Sequence, residues 1–249
     1  MTGRLAILLA MLVLAGPAVA EHPAECRVAE HQIESIFPLP HVAVGIAAKK
    51  LNVLVLGAGS SQLPGAGARE AYPARLQRAL AEQLPGVEVN VATDVKPKRT
   101  AAEMVKALPA ALAALKPNLV IWQTGTADAI QAIDPDQFSQ ALDRGINISR
   151  AASADVVFVN PQYSPRTESM IALGSYAENM RWVAVQQEVP LFDRFSVMKL
   201  WADLGTFDFY SATKKLDMAE RVHDCIGRLL ADLVIAATKP SEPRAEGGR

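Results

Sequence analysis

Apolar positions along this chain follow two periods. Residues 51–56, 119–123 and 155–159 are short, almost wholly apolar runs, 87–92 alternates apolar with polar, and 189–192 is a shorter run of the same kind. Runs of this length with little charge are what a strand covered on both faces requires. Between them lie longer stretches with helical spacing: 73–84, 101–115, 134–151, 169–187, 197–204 and 218–237. The last carries an apolar stripe of Met218, Val222, Cys225, Ile226, Leu229, Leu230 and Leu233.

Start and stop signals sharpen these spans. Pro73 and Pro135 fall in first turns, Thr100 and Glu103 have capping-box spacing, and Asp217 with Glu220 repeats that spacing before the last helix. Pro85-Gly86 ends the first helix. Pro109 is expected to kink or split the helix over 101–115, and Gly174 is expected to weaken the one over 169–187. Strands alternating with helices predict an α/β fold: a three-layer α/β/α doubly wound sheet of about five parallel strands.

The ends read differently. Residues 1–20 combine Arg4, an apolar run from Leu5 to Leu14 and the small-residue site Ala18-Val19-Ala20, the pattern of an export signal peptide. An uncleaved anchor is the alternative. No later segment has the roughly 20 apolar residues that a membrane span needs. Residues 21–50 form an N-terminal arm whose Ile36-Phe37-Pro38-Leu39-Pro40 run is expected to be extended. The α/β domain then covers 51–237, and the polar, proline-containing tail 238–249 is expected to be disordered. Export, to the periplasm of a Gram-negative source, is the expected location.

Charge and cysteines narrow the classes. The 249 residues carry a formal net charge of −1 and only 6% aromatics, so neither a basic nucleic-acid surface nor a base-stacking platform is expected. Two cysteines, Cys26 and Cys225, in an exported chain predict one disulfide tying the arm to the last helix, with two unrelated thiols as the alternative. A chain-entropy argument gives such a bond on the order of 4–5 kcal/mol. No His, Cys and Asp cluster has ligand spacing, so neither metal nor other cofactor is expected.

Right-handed crossovers bring every strand-to-helix turn to one end of the sheet, where ligands bind in such folds. That end would gather Gly59-Ser60-Ser61, the loop 93–98, Gly125-Thr126 with Asp128, and the segment 160–163 with Gln162. Each candidate has a plainer reading. The serines can satisfy turn amides, and Asp128 can be a solvated turn aspartate. Lys96, Lys98 and Arg99 can be an ordinary surface loop or can meet an acidic sugar or phosphate.

Several segments together resemble the SGNH (GDSL-type) hydrolases, and more narrowly an exported rhizobial-type branch whose first block reads Gly-Ser-Ser-Ser-Thr. The carriers are Gly59-Ser60-Ser61, Gly65-Ala66-Gly67-Ala68 before Tyr72-Pro73-Ala74-Arg75-Leu76, the run 116–126, Asn160-Pro161-Gln162-Tyr163, Arg194-Phe195-Ser196-Val197-Met198, and Cys225-Ile226. The resemblance covers about residues 51–237. It implies serine-dependent hydrolysis of a small ester or carbohydrate ester.

By position the nucleophile is Ser61, with Ser60 as the alternative; a register that starts from Gly57 puts Gly59 there instead. Gly59, Gly125, Thr126, Asp128 and Gln162 then surround the substrate. The family's other blocks depart from the pattern. No glycine occurs in 94–98, Ala127 stands at the asparagine position, and the terminal Asp-x-x-His falls on Lys214 and Asp217. His223 is the nearest substitute base, although it also reads as an ordinary half-buried helix histidine; Asp217 reads first as a helix cap. A serine without a base does not ionise at neutral pH. Two functions follow: a divergent, slow serine hydrolase, or a catalytically inactive protein of the same fold that binds a glycan or envelope partner. A flavodoxin-like nucleotide binder shares the strand pattern, but Pro64 and a long loop intervene where a phosphate cradle would sit.

Overall fold

Strand β1 (Lys50–Gly57) is buried along nearly its whole length, and its neighbours explain why. It pairs in parallel with β2 (Glu88–Val95) on one side and with β3 (Leu119–Gln123) on the other. The sheet continues through β4 (Asp155–Val159) and the short β5 (Leu191–Phe192), all parallel, in the order β2-β1-β3-β4-β5. β3 and β4 are buried at every position, as strands with both faces covered must be. The computed structural model describes residues 22–210 and 216–239. The signal-peptide reading of 1–20, the Lys214 position and the tail from 240 lie outside the described residues.

The chain reverses its direction of travel across the sheet after β2. With right-handed crossovers this puts α2 (Tyr72–Gln83) on one face and α3 (Ala101–Leu115), α5 (Pro135–Ala151) and α7 (Leu173–Gln186) on the other. The packing agrees: α3 lies against α5 and α5 against α7, while α2 packs on the last helix, α9 (Leu216–Ala236). Gly227 of α9 sets that approach. A Cβ there would lie 2.8 Å from the backbone nitrogen of Leu76. On the other face, Gly145 of α5 makes room for the buried Trp122 ring, which a Cβ would meet at 2.2 Å.

Local chemistry explains most boundaries. Thr100 and Glu103 form the expected capping box at the start of α3. The helix nevertheless runs unbroken through Pro109. Pro109 occupies an exposed position, and the buried stripe of Met104, Val105, Leu108 and Leu112 carries the helix past it. The helix expected over 169–187 starts later, as α7 from Leu173, and a separate short helix, α6 (Pro165–Glu168), precedes it. Gly174 does not weaken α7; it lies in the first turn, where its N–H donates to the Glu168 carboxylate. α4 (Thr126–Ile130) is a single short helix after β3, where the sequence suggested only a turn. α8 (Arg194–Asp203) starts three residues earlier than its apolar pattern, because Asp193 caps it by accepting from Ser196 N–H at 3.0 Å. Asp217 lies within the first turn of α9 rather than before it, so the expected cap position is displaced.

The arm is not extended throughout. Pro40 opens α1 (Pro40–Ala47), since a proline that stops an extended run also suits a first helical turn. Asp155 at the base of β4 holds α1 from below, accepting from Val42 N–H at 2.9 Å and meeting His41 Nδ1 at 2.8 Å. The Cys26–Cys225 disulfide is formed, with a Cα–Cα distance of 4.9 Å, and it fixes the arm to α9. Glu25 with Arg221 at 2.7 Å and His22 with Asp232 reinforce the same contact. Among the described residues no helix is long and apolar enough to cross a membrane.

Candidate functional site

At the C-terminal ends of the strands a crevice of about 380 Å³ opens between six segments. Gly59, Ser60, Gln62 and Leu63 come from the turn after β1, and Thr126 from the first position of α4. Gln162, Ser164 and Thr167 follow β4, and Arg194 and Met198 come from α8. Phe209 and the α9 residues Met218, Ala219, Val222 and His223 complete it. Five of the sequence candidates are thereby brought together: Gly59, Ser60, Thr126, Gln162 and His223. Gly125 lies just behind Thr126 at a φ of 96° and against Pro161, where a Cβ would come within 2.9 Å.

The turn after β1 separates the two serines. Residues Gly59–Ser61 form one 3-10 turn, closed by Ser61 N–H donating to Ala58 O at 2.9 Å. Ser61 is only 2% exposed and points under the turn. Its hydroxyl donates to Gln123 Oε1 at 2.9 Å and meets the Tyr72 hydroxyl at 3.0 Å. Gln123 Oε1 also accepts from Ala58 N–H at 3.2 Å. Gly57 is what admits this hydroxyl, since a Cβ there would lie 2.4 Å from Ser61 Oγ. Burial pushes the Tyr72 phenol up, so it is neutral and can donate to Ser61. Ser60 differs. It lines the crevice, and its Oγ is buried without a hydrogen-bond partner.

His223 faces the crevice from α9, and its Nδ1 accepts from Tyr72 N–H at 2.9 Å. An acceptor nitrogen carries no proton, so the neutral ring has its proton on Nε2. Burial first, then Arg194 and Arg75, lower the His223 pKa to about 3, so the ring is neutral at physiological pH. This histidine therefore offers the crevice an N–H donor and no lone pair. No hydrogen bond joins it to Ser60 or Ser61.

The other candidates lie elsewhere. Asp128 is 1% exposed and turns away from the crevice; both its oxygens accept from Ala101 N–H, at 3.0 and 3.2 Å, so it caps α3. Burial raises its pKa despite these bonds. It borders a separate, smaller cavity of about 160 Å³ between α3 and α5. Asp217 is exposed and lines neither. Arg99 is pinned to Asp94 at 2.9 Å, leaving Lys96 and Lys98 as the exposed cations of that loop. Among the described residues no group of three or more His, Cys, Asp or Glu gathers where a metal ion could be held.

Arg194 is the site residue whose role the sequence did not disclose. Asn160, at the end of β4, donates to Asp193 at 2.7 Å and accepts from Phe195 N–H at 2.9 Å. Arg181 clamps the other oxygen of Asp193 at 2.6 Å. The start of α8 is thus fixed from two sides, and Arg194 enters the core beneath the crevice. Its Nη1 donates to Ser60 O at 3.0 Å and its Nη2 to Gln162 Oε1 at 2.9 Å, while the guanidinium lies 5.8 Å from the Tyr72 ring centre. Burial lowers its pKa to about 10, so it stays charged at neutral pH.

A five-stranded parallel sheet in this order, covered by helices on both faces and with its crevice at the β1 turn, is the α/β/α fold of the SGNH hydrolases. A profile of the Non-GDSL lipase-like family matches residues 25–240, and the chain belongs to that family. Esterase TesA of Pseudomonas aeruginosa is 31% identical over 119 residues, covering 46% of this chain; the chain spans 58% of the length of that curated relative. A crystal structure of TesA superposes with a TM-score of 0.58 at 25% identity, over 73% of this chain and 99% of that one. An acetylxylan esterase from Geobacillus stearothermophilus, in a catalytic-mutant form, shares the fold with a TM-score of 0.59 at 14% identity, over 74% of this chain and 94% of that one. A lipase/acylhydrolase from Enterococcus faecalis does so at 0.55 and 21%, over 72% and 96%.

Proposed function

We propose that this chain is an exported protein of the SGNH fold that holds a small ester or glycan ligand in the crevice without hydrolysing it. The observation that carries this reading is the Tyr72 N–H bond to His223 Nδ1, which leaves the ring with its proton toward the crevice and no base for a serine. The rest of the machinery supports the same reading. Ser61, the first candidate nucleophile, has its hydroxyl engaged by Gln123 and Tyr72. In the alternative register the nucleophile position is Gly59, which has no side chain. Ala127 stands where the family's asparagine would stabilise an oxyanion, and one such donor contributes about 2.7–4 kcal/mol. Losing the serine–base pair costs on the order of 10⁶-fold in kcat. Export is supported by the Cys26–Cys225 disulfide, a bond that persists in oxidising compartments such as the periplasm.

A second reading, a divergent serine hydrolase, rests on one feature: the unpartnered Ser60 hydroxyl shares the crevice with His223. Hydrolysis of p-nitrophenyl acetate by the purified protein, beside Ser60→Ala and Ser61→Ala, separates the two. The binding reading expects equal rates for all three proteins and no labelling by a fluorophosphonate probe. A rate and a label abolished by Ser60→Ala alone would establish the hydrolase.

A further inference from the structure

Arg194 is a buried cation with no carboxylate partner among the described residues, and its side chain is 0% exposed. The other buried or half-buried arginines among the described residues are all paired: Arg99 with Asp94, Arg75 with Glu70 and Asp224, Arg181 with Asp193, and Arg228 with Asp224. Both terminal nitrogens of Arg194 donate to neutral oxygens, and Nε has no partner at all. A buried charge is ordinarily paired, because desolvation without compensation is costly.

The crevice above it has matching features. Among the described residues no aspartate or glutamate lines it. His223 contributes an Nε2–H, and the hydroxyls of Ser60 and Thr126 are buried there without partners. The facing wall, with Met198, Phe209 and Met218, is apolar.

We propose that this crevice selects ligands bearing a carboxylate, whose negative charge completes the Arg194 site while the body of the ligand lies on the apolar wall. The proposal rests on the binding reading of the same crevice and names the chemistry of its ligand. A monoanion with two oxygens fits the donors that remain, because the arginine fork is already engaged. A phosphate group, with more terminal oxygens and more charge, would need more donors than the His223, Ser60 and Thr126 groups supply. The carboxylate could belong to an acidic sugar or to a short acyl chain.

Calorimetric titration of the purified protein tests this with matched probes: glucuronate against glucose, butyrate against butyramide, and inorganic phosphate. The expected result is that at least one carboxylate binds tenfold or more tightly than its neutral counterpart, and the pair that shows the difference identifies the source. Arg194→Gln is expected to abolish that difference. If this variant does not fold, the matched pairs on the unaltered protein still decide, with the His223 ring nitrogen resonances reporting whether the carboxylate enters this crevice. Equal binding of charged and neutral partners, tightest binding of phosphate, or a preference that survives in folded Arg194→Gln would overturn the proposal. A serine-dependent esterase rate would overturn the non-hydrolytic reading alone and leave the ligand preference standing.

Discussion

At the residue scale, the two adjacent serines have opposite structural weights. Ser61 joins Gln123 and Tyr72 beneath the turn, so Ser61→Ala strands a buried phenol and is expected to cost about 1–3 kcal/mol in urea unfolding. Ser60 has no hydrogen bond from its side chain, and Ser60→Ala is expected to change stability by less than about 0.5 kcal/mol. His223 gives a pH prediction. Its folded pKa, lowered to about 3, lies below the unfolded value of 6.5, so only the unfolded chain gains a proton as the pH falls through 6.5. Stability is therefore intact above that pH and is lost below it, by about 2 kcal/mol between pH 7 and pH 5. His223→Asn, whose side-chain oxygen can still accept from Tyr72 N–H, is expected to flatten that part of the pH profile, measured as urea midpoints at the two pH values. The sequence was informative about which segments meet at the crevice, because strand order and crossover handedness decide that. It was silent on side-chain direction. Whether Ser60 or Ser61 faces outward depends on one 3-10 turn, and the burial of Arg194 depends on Asn160 and Asp193, 33 residues apart.

At the scale of elements, legibility tracked burial. β3 and β4 lie where their apolar runs ended, at Leu119–Gln123 and Asp155–Val159, since a central strand has no other means of covering both faces. Elements set by local bonds were harder to read. α4 has only five residues, too few for a periodic pattern, and α1 was hidden by prolines that suit both an extended run and a first turn. The close contact of α2 and α9 matters most for the site, because it sets His223 against Tyr72. Gly227→Ala would drive a methyl into the backbone at Leu76 and is expected to destabilise the protein by about 1–3 kcal/mol. The same displacement should weaken ligand binding at the crevice, which calorimetry on the folded fraction would detect. Unchanged stability in this variant would mean that the two helices can move apart freely.

At the scale of the whole molecule, the sheet supplies the core and one covalent bond closes the perimeter. Replacing both Cys26 and Cys225 by serine is expected to cost about 2–5 kcal/mol, read as a fall in the urea midpoint, with reductant giving the same shift in the unaltered protein. Equal midpoints with and without reductant would show that the arm contacts alone hold this end. The separation of 199 residues between the two sulfurs also has a consequence for how the protein is made. Cys26 leaves the ribosome well before its partner, so at about 5–20 residues per second the first thiol waits roughly 10–40 s for the second. The chain has just two cysteines, so during that interval a cysteine of the same sequence can reach Cys26 only from another molecule. Crowded synthesis under oxidising conditions should therefore yield disulfide-linked pairs of chains, and slow, dilute production should yield the closed monomer.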